Sequence, residues 1–282
     1  MPLPRPMDAT EQARFLAAFP ALNVLSAVVT GEIDFSYNCL AWTLEFTTVW
    51  IWPGNSLSDF DKMYALRGYV RADDGPIAAY GVSKSEMTHG AVSGAGHGPR
   101  WESKCGSDLR IQHGLDELEG SHYGRVRAHY RPGLQARVEE SLHKLSERIA
   151  KGKTVKTYLT KEQNEALERE VAQIPENVRT NYRRAFERWK ESWFRGGLRV
   201  TSNPASRRVG AEFDALIAMG PAILPLVVQS LAEPPNFFAL QLYDSVQTNA
   251  RLLVQYGSDD ERILEGEQGR ARRTVQAWFT NR

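Results

Sequence analysis

The chain has little cysteine, little net charge and no long apolar run. Two cysteines, Cys39 and Cys105, in 282 residues are too few for the disulfide framework of a small secreted domain, so a reducing compartment and a cytoplasmic location are expected. With 35 basic against 34 acidic side chains, the chain lacks the basic excess of a dedicated nucleic-acid surface and the high net charge of a disordered segment. The longest late apolar stretch, Ala215 to Val228, is broken by Gly220, Pro221 and Pro225 and falls short of the roughly 20 residues that span a bilayer. Met1 to Thr10 carries no run suited to a Sec-type signal. No membrane partner is expected. What remains, 42% hydrophobic and 24% charged, is the composition of an ordinary globular protein with room for one large or two ordinary domains.

The texture changes near Arg131-Pro132-Gly133, which sets an expected boundary between residues 1–131 and 132–282. Before it, short apolar runs are separated by turn clusters at 73–76, 94–99 and 120–124, a strand-and-loop pattern. Strands are expected at Ile77–Val82, Thr88–Ser93, Arg100–Lys104 and Gly124–Tyr130, with helices at Glu11–Phe19 and from Asn38 or Cys39 onward. After it, Leu134, Val138, Leu142, Leu145 and Ile149 recur at helical intervals. Thr160 and Gln163 form a capping-box pattern, and a further helix fills Glu176–Phe194. The fold class is therefore α+β followed by an all-helical region. Phe213 to Val228 reads as a HEAT-like helical pair broken at Gly220-Pro221, within a helical stretch of about 211–256. One such unit is not a solenoid.

The residues that suggest chemistry are Tyr37-Asn38-Cys39-Leu40-Ala41-Trp42, Trp52-Pro53-Gly54 and Thr88-His89-Gly90-Ala91. A cysteine that opens a helix sits at the positive end of the helix dipole, which favours thiolate. A downstream strand histidine could take its proton, giving the Cys-His pair of nucleophilic catalysis.

These residues, with Trp101-x-Ser103-Lys104-x-Gly106 and Tyr123-Gly124, resemble an uncharacterised family known only as a domain of unknown function. The likeness covers about residues 10 to 131. More distantly, a helix-borne cysteine followed by a strand-borne histidine is similar to the papain-like NlpC/P60 and CHAP amidases and peptidases. That resemblance implies a papain-like N-terminal domain, Cys39 as nucleophile and His89 as general base. Glu102 is the nearest third member and His113 the alternative. The oxyanion would be met by the Cys39 amide with Asn38 or Tyr37. The implied activity is hydrolysis of an amide in a peptide, a peptidoglycan stem or a protein side chain, without cofactor. Deamidation and transfer to an amine are equally compatible, and the helical region would receive substrate or a protein partner.

Each feature also has a plainer reading. A buried cysteine most often serves as a small hydrophobe, which would leave a non-catalytic interaction module, or a secreted effector or toxin on the same fold. His89, His97, His113, His122 and His129 crowd one stretch with Cys105 but show no standard ligand spacing, so no metal is expected. Gly94–Gly98 lacks the Lys-Ser/Thr of a phosphate loop. Trp42, Trp50, Trp52, Tyr64 and Tyr69 suit a small-domain core better than a substrate groove. Phe186, Trp189 and Trp193 share one helix face, which reads as a core stripe beneath a solvated basic face rather than a nucleic-acid surface.

Overall fold

Local signals start the helices of the first region. Asp8 accepts from the Glu11 amide while Glu11 reaches back to the Asp8 amide, and this capping box opens α1, Ala9–Ala18. Asn38 caps α2, Cys39–Thr43, by accepting from the Ala41 amide. Ser56 and Asp59 form a second capping box at α3, Leu57–Ala65.

The computed structural model describes residues 2–94, 100–133 and 157–281. The helical periodicity at Leu134–Ile149, His97 and most of the Gly94–Gly98 loop lie outside them. The described residues fall into two compact units. One takes 2–94 and 100–133 together with Gly196–Asn203 and Gly257–Leu264; the other takes 157–195, Pro204–Tyr256 and 265–281.

The first unit is built on eight strands: β1 (Arg5–Pro6), β2 (Val28–Gly31), β3 (Tyr69–Ala72), β4 (Ile77–Ser83), β5 (Glu86–Ser93), β6 (Trp101–Lys104), β7 (Arg110–His113) and β8 (Arg125–Pro132). They form one antiparallel sheet in the order β1-β2-β7-β6-β5-β4-β8-β3. Both faces are covered, so side chains alternate between two cores. Ala78, Tyr80, Ala91 and Ile111 pack with Phe15 and Phe19 of α1 and with Leu109, Tyr123 and Val200. Ile77, Ala79 and Met87 pack on the other face with Cys39, Leu40 and Ala41 of α2 and Phe60, Met63 and Tyr64 of α3. Of the aromatic cluster read from sequence, Trp50 and Tyr64 are fully buried, and Trp42, Trp52 and Tyr69 pack at the edge of the α2/α3 core. Gly90 lets α2 lie close on β5, since a Cβ there would meet Leu40 Cδ2 at 3.1 Å and Thr43 Cγ2 at 3.2 Å.

The second unit is helical: α4 (Lys161–Ala172), α5 (Glu176–Ser192), α6 (Ala211–Ala218), α7 (Leu224–Leu231), α8 (Leu240–Val246) and α9 (Gly266–Thr280), joined by short 3-10 turns. Thr160 and Gln163 cap α4 reciprocally. Tyr182, Phe186, Trp189 and Trp193 are buried along α5 and its C-cap, and the Trp189 indole donates to the Arg207 carbonyl at 2.7 Å. Arg207 is itself buried, its guanidinium 4.4 Å from the centre of the Phe238 ring. Burial draws its pKa down to about 9. The basic-aromatic helix is thus a core stripe. The pair about Gly220 is bent by 99°, and among the described residues no single helix is long and apolar enough to cross a membrane.

Candidate active site

Three strands bring three polar side chains together on the α1 face. His89 and Ala91 alternate on β5, Trp101 and Ser103 on β6, Ile111 and His113 on β7, and Ala91 and Ile111 are members of that core. His89, Ser103 and His113 therefore meet beneath it, all with no exposed surface. Ser103 Oγ lies 2.9 Å from His89 Nε2 and 2.8 Å from His113 Nε2. The His89 ring is stacked on Tyr123, centroids 3.8 Å apart.

Hydrogen-bond bookkeeping assigns every proton in this chain. His113 Nδ1 lies 2.6 Å from the Gly114 carbonyl, which only accepts, so Nδ1 carries the proton. Burial holds His113 down to about 4, so the ring is neutral and Nε2 bears a lone pair, which accepts the Ser103 hydroxyl proton. Ser103 has no other proton, so His89 Nε2–H must donate to it. Burial, reinforced by the charge His113 would carry if protonated, also holds His89 well below its ordinary value. Its ring is neutral, and Nδ1 is an unprotonated base. That atom is buried and has no hydrogen-bond partner among the described residues.

Cys39 approaches β5 from the other side. It is the first residue of α2, belongs to the α2/α3 core and is fully buried. Its thiol donates to Ser202 Oγ at 3.1 Å, and the Gly90 and Leu40 amides favour its ionised form. The paired register of β5 and β6 covers only Val92↔Glu102 and Ser93↔Trp101. Beyond it, at Gly90 and His89, β5 is unpaired on that side, and there the sulfur meets the Gly90 amide. No hydrogen bond among the described residues links Cys39 to His89.

Several expectations need correction. The helix-borne thiol was expected to ionise easily, yet burial pushes Cys39 up to about 11, against smaller opposing effects of Ser202 and the Gly90 and Leu40 amides. A helix of five residues has too short a dipole to offset that desolvation. Asn38 and Tyr37 were expected at the oxyanion. The Asn38 amide instead donates to the Ile51 carbonyl at 2.7 Å and accepts from the Ala41 and Ile51 amides, so it braces the cap. Tyr37 is buried beneath the Lys104 ammonium, 5.1 Å from its ring centre, with its hydroxyl held by Arg110. Glu102, the nearest choice for a third member, alternates onto the opposite face from His89 and pairs with Arg110 at 2.8 Å. Arg110 in turn lies 3.9 Å over the Trp42 ring. His113, the alternative, reaches His89 only through Ser103.

Ser103 and Ser202 are the residues that sequence reasoning missed. Ser103 stood in the open in the Trp-x-Ser-Lys-x-Gly motif, where a count of alternating positions from Trp101 puts it on the histidine face. Ser202 carried no signal, since it comes from a Ser/Asn/Pro-containing link more than 160 positions along the chain. Among the described residues no group of three His, Cys, Asp or Glu side chains is placed to hold a metal ion.

Residues 28–131 match the model of a family described as a domain of unknown function (DUF7689), consistent with the motif resemblance. The matched span holds Cys39, His89, Ser103 and His113. No curated protein and no solved structure matches the chain.

Proposed function

We propose that the first unit is a cysteine hydrolase of papain-like type acting on amide bonds, with Cys39 as nucleophile and His89 Nδ1 as the base. The observation that carries this reading is the unpartnered Nδ1 lone pair, held in one tautomer by Ser103, His113 and the Gly114 carbonyl. An unsatisfied buried acceptor costs about 1–3 kcal/mol, and a general base requires a free lone pair of this kind. A cysteine at a helix start, packed on an antiparallel sheet whose next strands bear a histidine and its polar orienter, supports the papain-like comparison.

In the proposed reaction the Cys39 thiol first leaves Ser202 and comes within reach of His89, to which no hydrogen bond among the described residues links it. Its proton then passes to His89 Nδ1 and the sulfur adds to the substrate carbonyl carbon. The tetrahedral adduct then expels the amine, which leaves with the proton from Nδ1. Water attacks the resulting thioester, gives its proton to Nδ1 and releases a carboxylic acid, while the proton returns to sulfur. An amine in place of water would make the same intermediate a transferase step. Ser103 and His113 are positioning residues, since they act only through His89.

A second reading, a non-catalytic interaction module, is favoured by the complete burial of the thiol, which is protonated at neutral pH. One experiment separates the two. The full chain is incubated with a panel of peptide, isopeptide and peptidoglycan-stem p-nitrophenyl or amide substrates and quenched in acid, and intact-mass spectrometry seeks an acyl adduct on Cys39. An adduct on wild type, absent from Cys39→Ala and slowed at least about a hundredfold in His89→Ala, is expected. Substrate turnover that persists in Cys39→Ala, or no adduct from any panel member, would overturn the hydrolase.

A further inference from the structure

The segment Gly196–Asn203 belongs to the sheet unit although it lies far along the chain, and the sheet unit holds it mainly by its carbonyl oxygens. The Arg199 carbonyl accepts from both the Ser107 amide at 2.8 Å and the Ser107 hydroxyl at 2.9 Å. The Tyr123 hydroxyl donates to the Val200 carbonyl at 2.8 Å, and the Trp50 indole to the Ser202 carbonyl at 2.7 Å. The Arg199 guanidinium lies 3.2 Å from Asp108, a carboxylate that Arg14 also binds at 2.9 Å. Gly106, at φ +56°, is bare where the segment crosses it: a Cβ there would sit 2.5 Å from the Arg199 carbonyl oxygen. Ser202 Oγ accepts from the Cys39 thiol, and Asn203 Nδ2 donates to Asn55 Oδ1 at 3.1 Å.

This arrangement has the properties of a binding site. Trp50, Tyr123, Cys39 and Ser107 are all buried, and each directs a donor at the segment. Three of the four contact carbonyl oxygens, which every peptide carries, and the side chains of Leu198 and Thr201 take part in none of these bonds. The site reads mostly backbone, and it reaches the sulfur. We infer that Gly196–Asn203 occupies the substrate site of this unit, that the site takes a polypeptide segment by its carbonyl oxygens, and that the chain masks its own nucleophile until the segment is displaced. The identification of the occupant as a substrate stand-in rests on the hydrolase reading; the presence of a peptide-binding site does not.

The test uses the full chain carrying Ser107→Ala and Arg199→Ala. These remove one hydroxyl donor and the guanidinium and leave Asp108 paired with Arg14. Iodoacetamide labelling at pH 7.5 is followed by mass spectrometry, with Cys105, also fully buried, reporting any general opening. Cys39 labelling is expected to rise about tenfold relative to Cys105, the effect of losing roughly one hydrogen bond's worth of holding. A capped Gly-Gly-Leu-Arg-Val-Thr-Ser-Asn peptide is then expected to slow labelling again, and a scrambled peptide, which presents the same carbonyl oxygens, to do likewise, while an equal mass of free amino acids leaves it unchanged. An unchanged Cys39:Cys105 ratio, or no more protection by either peptide than by free amino acids, overturns the inference. Should the double variant not fold, Ser202→Cys alone serves: mild oxidation is expected to join it to Cys39, and failure to form that disulfide overturns the inference as well. Adding His89→Ala to the loosened chain keeps the two proposals apart. Faster labelling and peptide protection that persist, with a Cys39 rate indifferent to His89, leave the peptide site standing and sink the hydrolase.

Discussion

Lowering the pH tests the proton assignment in the His89–Ser103–His113 chain without any mutation. His113 ionises near 4 in the folded protein, and His89 is displaced in the same direction, whereas both return to about 6.5 when unfolded. The sign follows from proton counting. Below 6.5 the unfolded chain takes up protons that the folded chain refuses, so stability is complete above that pH and falls as the pH drops towards the folded values. Each such imidazole contributes a slope of about 1.4 kcal/mol per pH unit. His113 alone then removes about 2 kcal/mol between pH 6.5 and 5, a large share of a domain stability of roughly 5–15 kcal/mol, and His89 adds a loss of the same sign. Glu11 and Asp59 sit below ordinary values of 4.5 and 3.8, so their losses fall mainly below this window. The assay is urea unfolding at 0.15 M salt from pH 7.5 to 5, read by hydrogen-exchange mass spectrometry on peptides covering β5 to β7, which reports this unit apart from the helical one. A flat profile between 6.5 and 5 would refute the neutral-pair assignment. So would a His113→Gln variant that keeps the wild-type slope, since one of the two protons should vanish with it.

Ser103→Ala leaves the His89 Nε2–H and the His113 Nε2 lone pair buried without their common partner and should cost about 2–5 kcal/mol, whereas Cys39→Ala should cost less than about 2 kcal/mol. Equal costs in urea unfolding would deny the serine its bridging role. Lys104 is buried, donates to the Gly106 and Asp108 carbonyls at 2.8 and 2.6 Å and is drawn down to about 8 by burial. Lys104→Met should therefore cost about 2–4 kcal/mol through two orphaned carbonyls, and a loss below 0.5 kcal/mol would show that the turn does not need its clamp. In the helical unit Trp189→Ala should cost about 3–5 kcal/mol, with melting of that unit followed by circular dichroism. A nucleic-acid role for the stripe would instead predict unchanged melting.

Much of the fold was legible because it is local. The alternation in Ile77–Ser83 and Glu86–Ser93, the Thr160/Gln163 cap and the spacing of Phe186, Trp189 and Trp193 are each decided by neighbours within one or two turns. Strands β2 and β7 escaped because, unlike the equally short β6 next to the Gly-rich turn at 94–99, they are not set off by a turn cluster among those read at 73–76, 94–99 and 120–124, and α3 because its capping box closes with Asp59 rather than Glu or Gln. At the site, Cys39 and His89 stood out as residue types, but which face each occupies depends on sheet register, and that is settled by pairing across strands. The thiol's chemistry was misread for the same reason: it is buried in the α2/α3 core with Ser202 against it, and no pattern near Cys39 announces those distant partners.

The serine bridge has a consequence for how the sheet assembles. His89, Ser103 and His113 come from three neighbouring strands, and their hydrogen bonds close only when all three strands are in register. A slip of one residue in β6 would turn Ser103 to the α2 side and drive Glu102, a charge, into the apolar core against α1. A slip in β7 would exchange His113 for Gln112 or Gly114 and break the bond that sets the tautomer. The polar chain therefore acts as a combination lock on strand alignment: misaligned sheets are penalised by buried, unpaired groups, and the same three side chains certify that the sheet around them has been put together correctly.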